Sequence, residues 1–377
     1  MQDNKGKMIR LIIGGYESTY WDNVIIDSQI DIPADAWSLT LFNPEKGYLP
    51  NDLKSGALTK IYYGNELILT GILDRIVQTI NRTGRTLALS GRDLVGQLID
   101  CSVPIKNSRQ LTLSTLLEEY VLADFSHLFQ DIRVQDDKWL KNKVTVEPSE
   151  SIYDAIAKAA QVTGQYVWFD SNSAELRIGD PFKFTDHPVE TLILMEAGEN
   201  NNILEARYEE DVSNVFNEIK ILSQDEKGRG ISAETKADTQ YKFNRLKIVT
   251  LSDIESQSEA YATLDKIKHD NDLEAYTLFI TVPDWTISGT VWGTGWQINL
   301  KSDVIGRANA NWVVLGRTLK LSRKDGKTTE LKLKRKGDWA QPLIYKDVSS
   351  LNQKSKSTSK KQLIDAEERS FLEKMNG

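Results

Sequence analysis

The sequence predicts an α+β protein that is mainly β, with two similar small β-barrel modules, an inserted α/β domain and a flexible C-terminal tail. Two observations support this fold class. Short segments that alternate apolar and polar residues recur along the chain, which is typical of strands with one buried face. One group of these segments returns, in the same order, near the other end of the chain. We therefore expect one β-module to be present twice.

The repeat centres on two stretches that resemble hairpins. Residues 68–94 read ILTGILDRIVQTINRTGRTLALSGRDL, and residues 313–339 read VVLGRTLKLSRKDGKTTELKLKRKGDW. Aligning Gly84 with Gly326 brings similar residues together along both stretches. The matched pairs are Arg75 with Arg317, Val77 with Leu319, Thr79 with Leu321, and Leu89 with Leu331. Each stretch is therefore expected to be a β-hairpin with one buried face.

Two further blocks support the duplication. Residues 37–44 resemble residues 276–283, and residues 56–62 resemble residues 295–300. In the second copy the Asp325-Gly326 dipeptide predicts a two-residue hairpin turn. Alternating strands resemble one another by chance, but the shared order and spacing of three blocks favour a true duplication.

Length and composition restrict the class of protein. The chain has 377 residues, enough for two or three domains, and its 27% charged and 40% hydrophobic residues are ordinary for a globular protein. Its net charge of -7 gives no global preference for nucleic acid or anionic membranes. Cys101 is the single cysteine, so an intramolecular disulfide and a cysteine-rich zinc site are both excluded.

No segment of the sequence predicts export or insertion into a membrane. The N-terminal residues MQDNKGKMIRLIIGG hold only a short apolar run, whereas a signal peptide needs about 7 to 15 apolar residues. No apolar run approaches the roughly 20 residues of a membrane helix. We expect a soluble protein without membrane insertion.

Residues 1–100 are predicted to form the first β-barrel tube module. Strands are expected at 8–13, 24–32 and 36–42, before the hairpin of residues 68–94. About six strands within roughly 95 residues are enough for a small barrel or sandwich. A helical turn at residues 94–99 would close the module.

Residues 101–185 are predicted to form the inserted α/β domain. Apolar residues from Leu113 to Val121 follow helical spacing, and a second helix begins at Ser151, where Asp154 completes a start that resembles a capping box. Residues 166–178 then read as a hairpin.

Residues 186–343 are predicted to contain connecting strands, a helix and the second β-barrel tube module. The expected connecting elements are strands at 191–195, 215–222 and 241–249 and a helix that runs from the capping box of Ser252 and Glu255 to about His269. Residues 344–377 form a polar Ser/Lys-rich linker and a short helix. The apolar residues of that helix, which we expect to dock against a partner, include Leu363, Ile364, Phe371 and Leu372.

The residues that usually carry chemistry do not form a recognisable constellation. The three histidines, His127, His187 and His269, are widely separated, and no HExxH or CxxC motif occurs. Cys101 lacks the local signature of a nucleophile. Carboxylates are abundant, so a pair of the glycosidase type stays open, although solvated surface charge is the simpler interpretation. The sequence predicts no enzyme activity, metal or other cofactor.

Two features could take part in binding. Trp285, Trp292 and Trp296 cluster in one region, where core or intersubunit packing is favoured over sugar binding. Lys320 to Lys336 holds eight basic and two acidic residues, which predicts either a solvated strand face or a surface near nucleic acid or an acidic partner.

The sequence resembles the 43 kDa tail proteins of Mu-like phages, which are baseplate hub proteins, and more remotely the hubs of large contractile phages. It also resembles late-control gene D tail proteins and the N-terminal part of type VI secretion spike proteins. The resemblance covers nearly the whole chain. The residues that carry it are IRLIIGGYESTYWDNVIIDSQIDIPADAWSLTLFNP, GILDRIVQTIN, and NVFNEIKIL with its following helix.

The resemblance implies a structural baseplate hub of a contractile phage or prophage tail. Such hubs are homotrimers in which six similar modules surround a channel, so that a threefold protein matches a sixfold tail tube and seats a central spike. The implied partners are a second and third copy of the chain, the spike, the tail tube protein, a tape-measure protein and DNA in transit. The implied location is the virion, after assembly in the bacterial cytoplasm.

We expect the two hairpins to line or approach the channel or an intersubunit face. The residues expected there are Arg75, Gln78, Arg317, Lys320, Lys332, Lys334 and Lys336. The alternative is a tail-associated protein that binds or cleaves cell-wall carbohydrate. That alternative predicts a monomer with two carboxylates about 5 to 10 Å apart in a cleft.

Overall fold

The computed structural model describes residues 8–44, 49–104, 110–135, 143–147, 149–162, 165–181, 187–224, 228, 230–236, 243–251, 254 and 256–335. Strands of the first module are β1 (Ile9–Ile13), β2 (Tyr16–Ser18), β3 (Asn23–Gln29), β4 (Ala36–Phe42), β5 (Leu58–Tyr63), β6 (Glu66–Asn81) and β7 (Gly84–Asp93). The next strands are β8 (Gln110–Thr112), β9 (Asp131–Val134), β10 (Lys143–Thr145), β11 (Tyr166–Asp170) and β12 (Glu175–Gly179).

The second half of the chain holds the remaining strands. They are β13 (Glu190–Leu194), β14 (Glu205–Glu210), β15 (Glu218–Gln224), β16 (Gly230–Lys236), β17 (Leu246–Thr250), β18 (Tyr276–Pro283), β19 (Thr286–Ile287), β20 (Thr290–Val291), β21 (Gln297–Ser302), β22 (Asn311–Ser322) and β23 (Gly326–Arg335). The helices are α1 (Val95–Asp100), α2 (Leu113–Leu116), a π-helical stretch (Leu117–Leu122), α3 (Ala123–Phe125), α4 (Ile152–Val162), α5 (Gln257–Glu274) and a 3-10 turn (Gly306–Ala308).

One sheet of 13 strands runs through both β-modules. Its order is β14-β18-β23-β22-β3-β4-β7-β6-β5-β1-β2, and β21 joins β22 to β13. The strands form because their side chains alternate: in β4, Trp37, Leu39 and Leu41 are buried while Ser38 and Thr40 point to the other face. Burying a side chain of this size contributes about 2 kcal/mol.

The two modules are joined edge to edge by β3 and β22, which we call the internal joint. The strands are antiparallel, with Asn23 opposite Ser322 and Gln29 opposite Gly316. The expected β-barrels therefore differ from the structure, because none of the sheets formed by the described strands closes on itself. The edge that β22 would need for closure within the second module is occupied by β3 of the first.

The described residues form five apolar cores, the smallest of which joins Ile30, Trp168, Val313 and Leu315. Each β-module has a core, and the first is completed by Trp285, Val291 and Leu319 from the second. The α/β insert has a third core, which runs from Leu94 to Ile178. A fourth, smaller core lies between α5 and the three-stranded sheet β16-β15-β17.

Several predicted elements are confirmed. Residues 36–42 form β4 as expected, the helical turn after Leu94 is α1, and Ser151 Oγ accepts a hydrogen bond from the Asp154 N–H at 3.0 Å as the capping box requires. Strands β14 and β16 were not predicted, because EARYEE and GISAETK carry few apolar residues. Helix α5 begins at Gln257, after Ser256, while Ser252 and Glu255 lie outside the described residues.

Candidate interaction surfaces and the buried junction

Arg317, expected on a channel or intersubunit face, lies inside the chain with 3% of its surface exposed. One terminal nitrogen donates to the Trp292 carbonyl, and the other donates to the Ile68 carbonyl at 3.1 Å and to Asn172 Oδ1 at 3.0 Å. These acceptors belong to the second module, the first module and the α/β insert. Burial lowers the pKa of Arg317, and the nearby carboxyl of Asp35 acts in the opposite direction. Arg317 therefore clamps three parts of the chain together.

The two hairpins differ in the length of their turns. In the first hairpin Asn81 lies opposite Gly84, which leaves a two-residue turn. In the second, Ser322 lies opposite Gly326, which leaves three residues rather than the two predicted from Asp325-Gly326. Ser322 Oγ accepts a hydrogen bond from the Asp325 N–H at 2.9 Å and holds the longer turn.

The extra turn residue changes which side chains correspond. Arg317 lies opposite Leu331, and the residue opposite the corresponding Leu89 is Ile76, not Arg75. A shift of one residue moves a side chain to the other face of the strand. The sequence alignment of Arg75 with Arg317 was therefore one residue out of register, which is why Arg75 is exposed while Arg317 is buried.

A pair of buried carboxyls lies beside Arg317. Asp35 accepts hydrogen bonds from the Gln29 N–H at 3.1 Å and from the Ser171 hydroxyl, and Asp93 accepts one from the Asp35 N–H at 2.9 Å. Burial raises the pKa of Asp35 to about 6. Burial and the charge of Asp35 raise the pKa of Asp93 well above its ordinary value. These carboxyls favour protonated forms at mildly acidic pH.

A cavity of about 140 Å³ lies at this junction, between Asp35, Ser171, Arg177, His187 and Arg317. Ligand pockets usually measure about 300 to 1,000 Å³, so this one is small for a sugar. Two tryptophans of the predicted cluster, Trp285 and Trp292, are fully buried, and Trp296 stacks on His187 with ring centroids 3.4 Å apart. Core packing of Trp285 and Trp292 is thus confirmed.

The basic second hairpin is largely neutralised by carboxylates of the same chain. Lys332 Nζ lies 2.6 Å from Asp31 Oδ2, and Lys320 Nζ lies 2.5 Å from Glu330 Oε1. The remaining described pairs are Arg323 with Asp22 and Lys327 with Asp284. Because these carboxylates neutralise the basic side chains, the described strands do not form a surface as positive as the sequence of residues 320–336 indicates. The hypothesis that this strand binds DNA therefore loses support.

Lys334 is also buried, in contrast to its expected exposure. Its side chain lies on the face of β23 opposite Leu331 and Leu333, as alternation predicts, but α5 packs on this face. Lys334 Nζ donates to Thr277 Oγ1 at 2.8 Å. Burial lowers the pKa of Lys334, and the Glu274 carboxylate of α5 acts in the opposite direction. The alternation of residues along β23 could not predict that α5 covers this face, because α5 is distant in sequence.

The first hairpin differs because its outer half is open. Arg75, Gln78 and Ile80 are exposed, and Ile80 keeps 77% of its surface in contact with solvent. Strand β5 pairs only with residues 66–72 of β6, so the edge of residues 75–81 has no partner among the described strands. Lys336 and the predicted docking residues Leu363, Ile364, Phe371 and Leu372 lie outside the described residues.

No group of three or more potential metal ligands occurs among the residues that the structure describes. In the same part of the chain, no helix is both long and apolar enough to cross a membrane.

Comparisons with known proteins show that the chain is similar to phage baseplate and tail proteins. Residues 8–93 match the family described as Mu phage baseplate assembly protein GpP-like, N-terminal, and residues 270–337 match the family described as Tail protein, C-terminal domain. A tail protein from Neisseria meningitidis MC58 is 27% identical, with a TM-score of 0.75 over 89% of this chain and 98% of that chain. A comparison with curated proteins found no match.

More distant structures share the fold. The 43 kDa tail protein of prophage MuSo2 from Shewanella oneidensis is 20% identical, with a TM-score of 0.73 over 87% of this chain and 98% of that chain. An Escherichia coli component of the type VI secretion system, described as similar to bacteriophage T4 tail proteins gp27 and gp5, is 10% identical, with a TM-score of 0.57 over 89% and 80%. The predicted resemblance to the 43 kDa tail proteins of Mu-like phages is confirmed.

Proposed function

We propose that this chain, whose two modules match baseplate and tail-protein families of phages, is the structural hub of a contractile phage or prophage tail. Three copies form a ring with pseudo-sixfold symmetry that joins the tail tube to the central spike and surrounds a channel for DNA. The protein acts in the virion after assembly in the host cytoplasm, without catalysis, a cofactor or membrane insertion.

One observation carries the proposal: the same strand module occurs twice in one continuous sheet. In the first copy β3, β4, β7, β6 and β5 are neighbours, and in the second β14, β18, β23, β22 and β21 follow the same order. Three chains therefore present six modules. A contact in which one surface of a protein fits a different surface of its copy generates a closed ring when the rotation between neighbouring copies closes.

The exposed face of the internal joint is the part of the proposed ring that fits a channel wall. Lys320 and Lys332 lie on the non-core face of this sheet, where they pair with Glu330 and Asp31. Arg75 is exposed on β6 of the first module. A wall of mixed, paired charges would let DNA pass without retaining it, because tight binding depends on many unpaired cations that replace counterions. Gln78 lies on the opposite face of β6, three residues from Arg75.

Partners follow from the same proposal. The spike and the tail tube protein would occupy the two sides of the ring, a tape-measure protein the entrance of the channel, and the segment that contains Leu363 and Phe371 would dock on one of them. The fold shared with a type VI secretion component described as similar to gp27 and gp5 supports a spike as the partner.

The oligomeric state tests the proposal. Size-exclusion chromatography with light scattering should give a mass about three times the 42.7 kDa of one chain. Negative-stain images should show a ring with a central hole. A monomer at micromolar concentration, or a trimer whose axis is filled by protein, would overturn the hub and favour the carbohydrate-binding alternative.

A further inference from the structure

Two edges of the 13-stranded sheet are unpaired at positions that correspond to the internal joint. In the internal joint, β3 of the first module pairs with residues 316–322 of β22 in the second. The corresponding strand of the second module is β14, which pairs with β18 as β3 pairs with β4. The corresponding half of the first hairpin is residues 75–81 of β6. The described strands leave the outer edges of both β14 and this half of β6 open.

We propose that β14 of one copy pairs antiparallel with the outer half of β6 in the next copy, which repeats the internal joint between chains. This deepens the proposed ring and rests on it. The register follows by transferring the pairing of β3 with β22 through the two modules. It places Glu205 opposite Asn81, Arg207 opposite Thr79, and Asp211 opposite Arg75.

The backbone hydrogen-bonding pattern is consistent with this register. Asn81 and Gly84 close a two-residue turn, so the backbone of Asn81 and of every second residue before it is hydrogen-bonded to β7. The alternate residues Ile76, Gln78 and Ile80 therefore direct their N–H and C=O groups to the open edge of β6. The Asp211 N–H donates to the Ala275 carbonyl at 2.9 Å, so the residues of β14 that turn outward are Ala206, Tyr208 and Glu210. The proposed register places these two sets of outward groups opposite each other.

Charge and apolar surface also match across the proposed pair. Residues 205–211 hold four acidic residues and one arginine, whereas residues 75–85 hold three arginines and no acidic residue. Ile80, 77% exposed in one chain, would face Ala206 of the next. An exposed strand edge with an exposed isoleucine invites uncontrolled pairing unless a partner covers it. A second copy of this chain supplies a strand of fitting charge.

Cysteine cross-linking between the proposed partner strands tests the register. In a Cys101→Ser background, Arg207→Cys together with Thr79→Cys should convert most of the chain under mild oxidation into covalent dimers and trimers that reducing agent removes. Opposed residues on adjacent antiparallel strands lie within the 4.4 to 6.8 Å range of Cα separations that a disulfide accepts. Either single cysteine variant should remain monomeric on a denaturing gel.

Two matched pairs make the result specific. Ile25→Cys with Lys320→Cys occupies the corresponding positions of the internal joint and should cross-link within one chain, without an increase in mass. Arg207→Cys with Gln78→Cys is one residue out of register, on opposite faces, and should give at most a small fraction of the covalent dimer.

The outcomes separate the two proposals. A trimer by light scattering in which the Arg207–Thr79 pair fails, while the Ile25–Lys320 pair forms, would overturn the strand pairing and leave the ring. Preferential cross-linking of the Arg207–Gln78 pair would overturn the register. A monomer at all accessible concentrations would overturn the ring itself and the pairing with it.

Discussion

The two hairpins of this chain are copies of one design with opposite surroundings. Residues 78–81 of β6 are exposed on both faces, and the outer half of this strand is open at one edge. The corresponding half of β22 is covered by β3 and carries the buried Arg317. The edges differ because β3 pairs with β22, whereas no described strand pairs with residues 75–81 of β6 at its outer edge. The residue added to the second turn places Arg317 where the first copy has Ile76. Duplicated modules can therefore diverge both through the strand that covers an edge and through the residue that occupies a corresponding position.

A second contrast lies at the base of the same hairpins. Asp35 and Asp93 face each other where β4 meets β7, and Tyr276 and Arg335 occupy the corresponding places in β18 and β23. The first pair is two carboxyls, and the second is a guanidinium 4.0 Å above an aromatic ring. One location in the module thus serves as a titrating junction in one copy and as a cation–π contact in the other.

The sharpest way to break the contrast is to shift the incoming strand of the second hairpin by one residue. Deleting Leu321 leaves the turn unchanged and moves Arg317 and Leu319 by one position, which would turn both side chains to the wrong face of β22. We expect a loss of at least about 4 kcal/mol in the free energy of unfolding, at the upper end for a local change. Urea denaturation followed by circular dichroism would measure it. Inserting one glycine between Arg82 and Thr83 lengthens the first turn to three residues and is the control for turn length. It should cost less than about 1 kcal/mol, because Asn81 can stay opposite Gly84 as Ser322 stays opposite Gly326.

The next largest effect concerns the two aligned arginines themselves. Arg317→Met should lower the free energy of unfolding by about 3 kcal/mol, because it strands the acceptors of Ile68, Trp292 and Asn172 in the interior. Arg75→Met, measured by the same denaturation, should change it by less than about 0.5 kcal/mol. Similar losses at both positions would show that the register assigned to the hairpins is wrong.

The positions of many strands along the chain could be predicted from sequence, but their order in one sheet and their register could not. Alternation located β4, β6, β7, β22 and β23, since each buries one face. It could not count the residues of the second turn, because Asp325-Gly326 favours a two-residue turn locally. Strand β14 was missed because its acidic residues suit an edge and resemble a loop. The buried junction depends on segments more than 100 residues apart, such as Ser171 with Asp35, which no local pattern reveals.

The contrast at the base of the hairpins predicts a pH dependence tied to the first module. Because the pKa of Asp35 is raised from 3.8 to about 6, the folded state binds more protons than the unfolded state between these values. Relative to Asp35→Asn, the wild type should therefore gain free energy of unfolding below about pH 4 and lose this gain as the pH rises through about 6. The free energy of unfolding should change by at most about 3 kcal/mol over this range.

Denaturation of the wild type and Asp35→Asn at several pH values from 4 to 7 would measure this difference. Arg335→Lys, at the corresponding site of the second module, should leave the shape of the pH dependence unchanged, because no carboxyl is removed there. If the wild type became more stable relative to Asp35→Asn as the pH rises, the pKa of Asp35 would be lowered in the folded state rather than raised, and the prediction would be refuted.

The smallest predicted effect separates exposed from buried lysines on β23. Lys332→Ala removes the ion pair with Asp31, whose side chains are 30% and 39% exposed, so we expect a loss of about 0.5 kcal/mol that shrinks at high salt. Lys334→Met keeps the apolar stem under α5 and removes an ammonium that burial disfavours, so stability should stay equal or rise. Comparing the two variants by denaturation at low and high ionic strength tests both expectations. A large loss for Lys334→Met would mean that the hydrogen bond to Thr277 outweighs the cost of burying the charge, so the covered face of β23 would depend on that contact.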